Sequence, residues 1–351
     1  MRGTGRGEEP ALVPVRGYKN DYFDMIALVT GGTGFVGANL VEALGQRGVA
    51  VRVLHRESSS LAALEGLSFQ SVVGDILDDG DSLTAAMQGC DWVFHVAAVS
   101  DYWRNEAEWI YKVNVQGTRN VLAAAKRAGV KRLVFTSSLA AMGLPAPGAL
   151  LDESSQFNLK PARFPYGHSK HLAEAEVRAA VASGLEAVIV NPAVVLGPRD
   201  VNQISGSIIV EAARGLARVR LPGGANYVDV ADVAGGHIAA AECGRPGERY
   251  ILGAHNLSHD EVLQQVCPAV NQPVPSLKVP RWLLPPAAGV VGLARRFLGE
   301  RIPFDANQVR LAAVNIFASN DKAIRELNLP QTPFAETVQR AVEWYKMNGY
   351  I

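Results

Sequence analysis

Six short apolar runs, at 26–29, 49–54, 69–73, 92–96, 132–136 and 187–190, are spaced by amphipathic stretches at 38–47, 81–88, 108–128 and 166–183. Runs this short are strand length. Strands separated by helices must cross over the sheet, which makes them parallel neighbours. The runs are apolar throughout rather than alternating, as expected when helices cover both faces. The rhythm therefore predicts an α/β fold: a Rossmann-type doubly wound parallel sheet over 25–191. After Asn191 the rhythm changes. Helical pieces at 205–215, 231–243, 258–266 and 334–348 mix with short strands and many prolines. This part predicts a smaller C-terminal α/β lobe over 192–351 that binds substrate, with some of its segments returning to the sheet.

The chain has 351 residues, 48% hydrophobic and 19% charged, so it can bury a large core. Its 34 basic and 34 acidic residues cancel, and no basic block stands out. Nothing in that balance points to nucleic acid or to a membrane surface. Cys90, Cys243 and Cys267 are far apart and have no metal-ligand spacing, so no metal is expected. They read as reduced thiols of an intracellular, cytoplasmic protein. Residues 1–24 are rich in Gly, Arg, Glu and Pro and lack the apolar stretch of a signal peptide. They read as a disordered extension, with the domain starting at Met25. No apolar run is long enough to span a bilayer. The longest candidate, 282–298, is interrupted by Pro285-Pro286 and charged by Arg295-Arg296.

Between the first run and the first amphipathic stretch lies Thr30-Gly31-Gly32-Thr33-Gly34-Phe35-Val36-Gly37. Gly31 permits the tight turn, Gly34 lets the backbone approach a pyrophosphate, and Gly37 lets helix and strand pack closely. The helix N-terminus then offers free N–H groups to the phosphates. Coming after a strand and opening a helix, the loop predicts a nicotinamide dinucleotide site that includes Thr30, Gly31, Thr33, Gly34, Phe35, Val36 and Gly37. The second run ends in His55-Arg56-Glu57-Ser58, where an NAD site usually carries an acidic residue. His55 holds that position. Arg56, helped by Ser58, suits a ribose phosphate, so NADP(H) is expected ahead of NAD(H). Asp75 and Ile76 should flank the adenine. Val96, Ala97 and Ala98 offer small residues where a cofactor crosses the sheet edge.

Tyr166-Gly167-His168-Ser169-Lys170 puts Tyr166 and Lys170 on one helix face, behind Pro165 at the first turn. A nearby ammonium favours phenolate, so Lys170 should lower the Tyr166 pKa and make it a usable acid/base. Phe135-Thr136-Ser137-Ser138 closes the fifth run, where a hydroxyl can face substrate. Asn114 lies in the helix before it.

Taken together, these motifs resemble the extended short-chain dehydrogenase/reductase superfamily, the NAD-dependent epimerase/dehydratase family. The resemblance also rests on Gly74-Asp75-Ile76, Asn114-Val115-Gln116-Gly117-Thr118 and Asn191-Pro192-Ala193-Val194, and it runs from Met25 to the C-terminus. The chain looks closest to the dihydroflavonol reductase-like and hopanoid-associated sugar epimerase-like branches. The family implies that Tyr166 exchanges a proton with the substrate oxygen. Lys170 would lower the Tyr166 pKa and hold the nicotinamide ribose. Ser138, preferred over Ser137 by its spacing to Gly143, would orient the carbonyl, and Asn114 would shape the site. It also implies cofactor contacts from Thr136, Ser137, Asn191, Pro192, Ala193 and Val194. Dimers through the helices over 108–128 and 166–183 are a further implication; the sequence leaves a monomer open. Asn191 and Asp229 stand where many sugar-nucleotide members carry arginine and histidine, which weakens that reading.

Substrate contacts are expected from Tyr102, Trp103, Leu139, Asn202 and Tyr227. Tyr102 and Trp103 suggest an apolar wall, or else lobe core. The leading expectation is an NADPH-dependent reductase of a ketone or aldehyde, or the reverse alcohol oxidation. The alternative is a sugar-nucleotide epimerase or dehydratase.

Overall fold

The computed structural model describes Tyr22 and residues 24–78, 80–100, 105–298 and 305–351. Its first half runs β1 (Ile26–Thr30), α1 (Phe35–Gln46), β2 (Ala50–His55), β3 (Gln70–Val73), α2 (Gly80–Met87), β4 (Trp92–His95), α3 (Ala107–Tyr111), α4 (Gly117–Ala128), β5 (Arg132–Thr136), α5 (Pro165–Ala182) and β6 (Ala187–Pro192). The second half runs β7 (Val194–Leu196), α6 (Ser207–Ala213), β8 (Gly224–Asp229), α7 (Val230–Cys243), β9 (Arg249–Leu252), β10 (His255–Ser258), α8 (His259–Ala269), α9 (Leu284–Leu298), α10 (Ala306–Leu311), β11 (Asn315–Ile316), α11 (Asp321–Leu327) and α12 (Phe334–Met347).

Seven parallel strands form the main sheet, in the order β3-β2-β1-β4-β5-β6-β9. The order reverses beside β1, so the crevice between the carboxyl ends of β1 and β4 is the switch point where such sheets bind ligands. Successive residues of one strand serve opposite faces. Val29, Val53, Phe94 and Val190 pack with Leu40 and Leu44 of α1 and Val233 and Ile238 of α7. Leu28, Val93, Leu133 and Ile189 pack with Met87 of α2, Val121 of α4 and Val177 of α5. The seventh strand, β9, and the covering helix α7 both come from the second half of the chain.

The lobe has its own small sheet. β10 pairs antiparallel with one edge of β8, while β7 and β11 share the other edge. Ile209 of α6, Val262 and Val266 of α8, and Val338 and Val342 of α12 form its core. Local signals set the helix ends. Asp229 caps α7 by accepting from the Ala231 N–H (2.7 Å), and Ser258 with Glu261 forms a capping box on α8. Gly129 ends α4 at φ 69°.

Three expectations change. The stretch over 108–128 is not one helix. A π-type turn at Lys112–Gln116 separates α3 from α4 and carries Asn114. Pro285 and Pro286 do not interrupt 282–298 but occupy the first turn of α9, where missing N–H groups cost nothing. Tyr22, assigned to the extension, stacks edge-on against Trp92 (5.9 Å between ring centroids) and donates its hydroxyl to Glu242. The outward positions of α4 and α5 carry the Arg119–Glu176 ion pair (2.6 Å) beside exposed Leu172. Cys90 and Cys267 are buried, Cys243 is exposed, and all three are free thiols. No described helix is long and apolar enough to cross a membrane, and no described cluster could hold a metal ion.

Candidate active site

The site is a cleft of about 700 Å³ at the switch point. Its floor is the glycine loop. Gly31 sits at φ +70°, and a Cβ there would stand 2.5 Å from the Ala97 nitrogen. A Cβ on Gly37 would stand 2.2 Å from the Gly31 carbonyl oxygen. A Cβ on Gly34 would meet only that oxygen, at 3.3 Å, so the middle glycine keeps the approach to the backbone open. No side chain caps the N-terminus of α1, which leaves its N–H groups for a ligand. The cradle thus fits a pyrophosphate. Thr30 lies beneath the loop, buried, with its hydroxyl 2.8 Å from His95 Nδ1.

The cleft brings together most of the residues expected at the cofactor. Gly31, Thr33, Gly34, Phe35, Val36, Gly37, His55, Arg56, Asp75, Ile76, Val96, Ala97, Ala98, Thr136, Ser137, Pro192 and Ala193 line it with Ser138, Tyr166 and Lys170. Arg56 also faces an adjoining recess of about 480 Å³, which Ser58 lines instead of the cleft, together with Glu57, Asp75 and Asp78. Two of these carboxylates are engaged in turns. Asp78 accepts from the Asp75 N–H (2.8 Å) and Asp75 from the Leu77 N–H (3.0 Å).

At the reacting end, Ser138 starts a 3₁₀ turn at Leu139–Met142 in extended conformation, its Oγ accepting from Ala140 N (3.2 Å). Tyr166 follows Pro165 in the first turn of α5 and shares a hydrogen bond with the Ser138 side chain. Burial pushes the Tyr166 phenol above its ordinary value, and that hydrogen bond pulls it down. Lys170 lies one turn further along the same face of α5. Its Nζ donates to the Thr136 carbonyl (2.7 Å) and lies 4.9 Å from the centre of the Phe135 ring. Burial lowers Lys170 to about 7, against the upward pull of Glu174.

Glu174 was not anticipated, although its place one turn beyond Lys170 puts it on the same face of α5. It is fully buried. Its Oε1 accepts from Ser137 Oγ and Asn191 Nδ2, both at 2.7 Å, and its Oε2 faces Arg178 (3.0 Å) and Arg249 (3.3 Å). Asn191 also donates to the Ser138 carbonyl (3.0 Å). It therefore lies under the catalytic strand end rather than in the cleft.

Four other expected residues also stand apart from the cleft. Asn114 is buried and clasps Val99, accepting from its N–H (2.8 Å) and donating to its carbonyl (3.1 Å). It also donates to Ser169 Oγ (3.0 Å), tying the segment after β4 to α5. Val194 packs toward the lobe core, and its neighbour Val195 lines the cleft. Leu139 is buried among Met142, Leu151 and Ile251. Tyr227 turns into the lobe core against Phe334 (5.4 Å between ring centroids). Strand alternation places both Val194 and Tyr227 on the covered face. Asn202 does line the cleft, with Asn105, Trp109, Val113, Ile204 and Ser205. Tyr102 and Trp103 lie outside the described residues. Asp229 forms an ion pair with Arg340 (3.2 Å) in addition to capping α7.

A switch-point dinucleotide cradle joined to a Ser–Tyr–Lys cluster on neighbouring strand and helix ends defines an extended short-chain dehydrogenase/reductase. The model of the NAD dependent epimerase/dehydratase family matches residues 27–253, and the chain belongs to that family. It is 40% identical over 328 residues to a putative dihydroflavonol 4-reductase of Synechocystis sp., covering 92% of this chain and 95% of the relative. It is 34% identical to sterol demethylase protein B of Methylococcus capsulatus, over 93% of this chain and 100% of that one. The solved structure of PA4631, a nucleoside-diphosphate-sugar epimerase from Pseudomonas aeruginosa, matches with a TM-score of 0.76 at 25% identity, covering 93% and 99% of the two chains. The chain is an enzyme.

Proposed function

We propose that the chain is an NADPH-dependent reductase of a ketone or aldehyde, also able to run the alcohol oxidation in reverse. The observation that carries this is the meeting of Ser138, Tyr166 and Lys170 in one cleft with the glycine cradle. Bound nicotinamide would supply the hydride. Ser138 Oγ donates to the carbonyl oxygen and orients it. Tyr166 gives that oxygen the proton, and the Lys170 ammonium stabilises the phenolate left behind. Pro192 and Ala193 wall the nicotinamide end.

Arg56 and Ser58 support NADP(H) over NAD(H), since a guanidinium matches a ribose phosphate in bidentate geometry. The substrate is weakly polar. Trp109, Val113, Val195 and Ile204 line the cleft, and its cations are Arg56 and Lys170 among the described residues. A nucleotide diphosphate needs converging cations on the lobe side, so the epimerase reading, which the Pseudomonas structure represents, is less well supported. The names of the two relatives, a putative dihydroflavonol 4-reductase and sterol demethylase protein B, support a ring compound as substrate. The free thiols support action in the cytoplasm.

The test is a panel of carbonyl compounds with NADPH absorbance as the readout. NADPH consumption is expected, with NADPH bound at least about tenfold more tightly than NADH. Tyr166→Phe is expected to lower turnover about 10²–10⁴-fold with NADPH binding intact. No consumption with any carbonyl, or full activity in Tyr166→Phe, overturns the reading.

A further inference from the structure

Six of the exposed large apolar side chains fall between 277 and 297: Leu277, Trp282, Leu283, Val290, Leu293 and Phe297. Trp282, Val290, Leu293 and Phe297 are 72%, 67%, 61% and 78% exposed. The last three recur at helical spacing on α9, whose opposite side buries Leu284 and Ala288. An exposed aromatic and aliphatic face of this kind normally marks an interaction surface.

Charge identifies the partner. The chain as a whole is neutral, yet from Val262 to Leu298 it carries Lys278, Arg281, Arg295 and Arg296 and no carboxylate. Lys278 pairs with Asp260 (3.2 Å). Arg281 and Arg296 are exposed and unpaired among the described residues, beside the apolar face. Tryptophan, phenylalanine and leucine flanked by exposed arginines match the boundary between acyl chains and anionic headgroups.

We infer that α9 lays this face on an anionic lipid surface, so that the enzyme docks on a membrane without spanning it. The placement gives docking a use. α10 packs beside α9, with a Cβ on Gly292 reaching Ala306 Cβ at 3.4 Å. Asn307 Nδ2 on α10 donates to the Arg163 carbonyl (2.9 Å), in the segment leading into Tyr166. The docked helix is thus linked through α10 to the segment that leads into Tyr166 at the reacting end of the cleft. An apolar carbonyl substrate partitioned into lipid would meet the enzyme there. That use rests on the proposed reductase reading, whereas docking itself does not.

The experiment is co-sedimentation of the full chain with vesicles of phosphatidylcholine, alone or mixed with phosphatidylglycerol, without substrate. The chain is expected to bind the mixed vesicles at least about tenfold more strongly than pure phosphatidylcholine and to be released by high salt. Leu293→Glu with Phe297→Glu, and separately Arg281→Glu with Arg296→Glu, are expected to abolish binding while leaving NADPH affinity and Tm unchanged. No binding to the mixed vesicles, or equal binding to both, overturns the inference. So does a wild-type dimer that Leu293→Glu with Phe297→Glu converts to monomer without changing vesicle binding, since the face then belongs to a second copy. Vesicle binding without NADPH consumption would leave docking standing and remove only the reductase reading.

Discussion

Glu174 sits one helical turn beyond Lys170 and two beyond Tyr166, and its carboxylate joins the segment just after β5 to β6 and β9 through Ser137, Asn191 and Arg249. The groups around Lys170 are Tyr166 and Glu174 on its own helix, His95 from β4 and the Thr136 carbonyl from β5. Of these, Glu174 is the carboxylate that opposes the loss of the Lys170 proton. Glu174→Gln keeps an acceptor for Ser137 and Asn191 but removes that charge. Lys170 then falls below about 7. The ammonium form, and with it reductase activity, should be lost at lower pH than in the wild type. The check is the pH profile of kcat, whose alkaline limb is expected to move to lower pH. The same change leaves Arg249 buried with less compensation, at a cost of about 3 kcal/mol. A lower Tm with an unmoved pH limb would reduce Glu174 to a structural role.

In α1, two glycines on one helix obey different constraints. A Cβ on Gly37 would collide with the backbone of the turn, while one on Gly45 would meet nothing within 4 Å. Gly45→Ala should stabilise the protein by about 0.5–1 kcal/mol, through helix propensity and a less flexible unfolded chain. Gly37→Ala should push helix and loop apart and weaken NADPH binding at least about tenfold. Urea unfolding and cofactor titration of both variants check the pair. Equal cofactor affinity in the two would show that the close approach at Gly37 does not shape the cradle. The glycine spacing was legible in the sequence because only glycine tolerates these approaches. The π-type turn at Lys112–Gln116 was not, since its residues carry a helical pattern and the break appears only in how Asn114 meets Val99 and Ser169.

Across the molecule, two buried histidines pin helices to both faces of the main sheet. His95 bridges Thr30 and Thr118 of α4 (2.8 and 3.0 Å), and His237 of α7 meets Thr136 (2.8 Å). Burial lowers them to about 3 and about 4. Unfolded, both take a proton near pH 6.5; folded, they refuse it until those lower values. Acid below pH 6.5 therefore favours the unfolded chain by about 1.4 kcal/mol per pH unit for each ring, down to about pH 4. Between pH 7 and pH 5 the loss is about 2 kcal/mol per histidine. Urea midpoints at the two pH values measure it, and His237→Gln should remove about 2 kcal/mol of the loss. A midpoint as acid-sensitive in that variant as in the wild type would assign the loss elsewhere.

Ser138 was singled out by what the family resemblance implies, whereas the glycine cradle on β1 and α1, the parallel sheet and the shared helix face of Tyr166 and Lys170 were readable from order and spacing. They depend on local backbone geometry and on periods of two and 3.6 residues, which a linear sequence records directly. What only the tertiary structure decided depends on distant segments meeting. It placed β9 at the sheet edge and Arg249 against Glu174. It set Lys170 Nζ against the Thr136 carbonyl and turned Tyr227 into the lobe core. It also exposed the apolar face of α9, which whole-chain neutrality and two prolines had concealed. Burial and charge pairing are properties of neighbours in space, and a sequence states only neighbours along the chain.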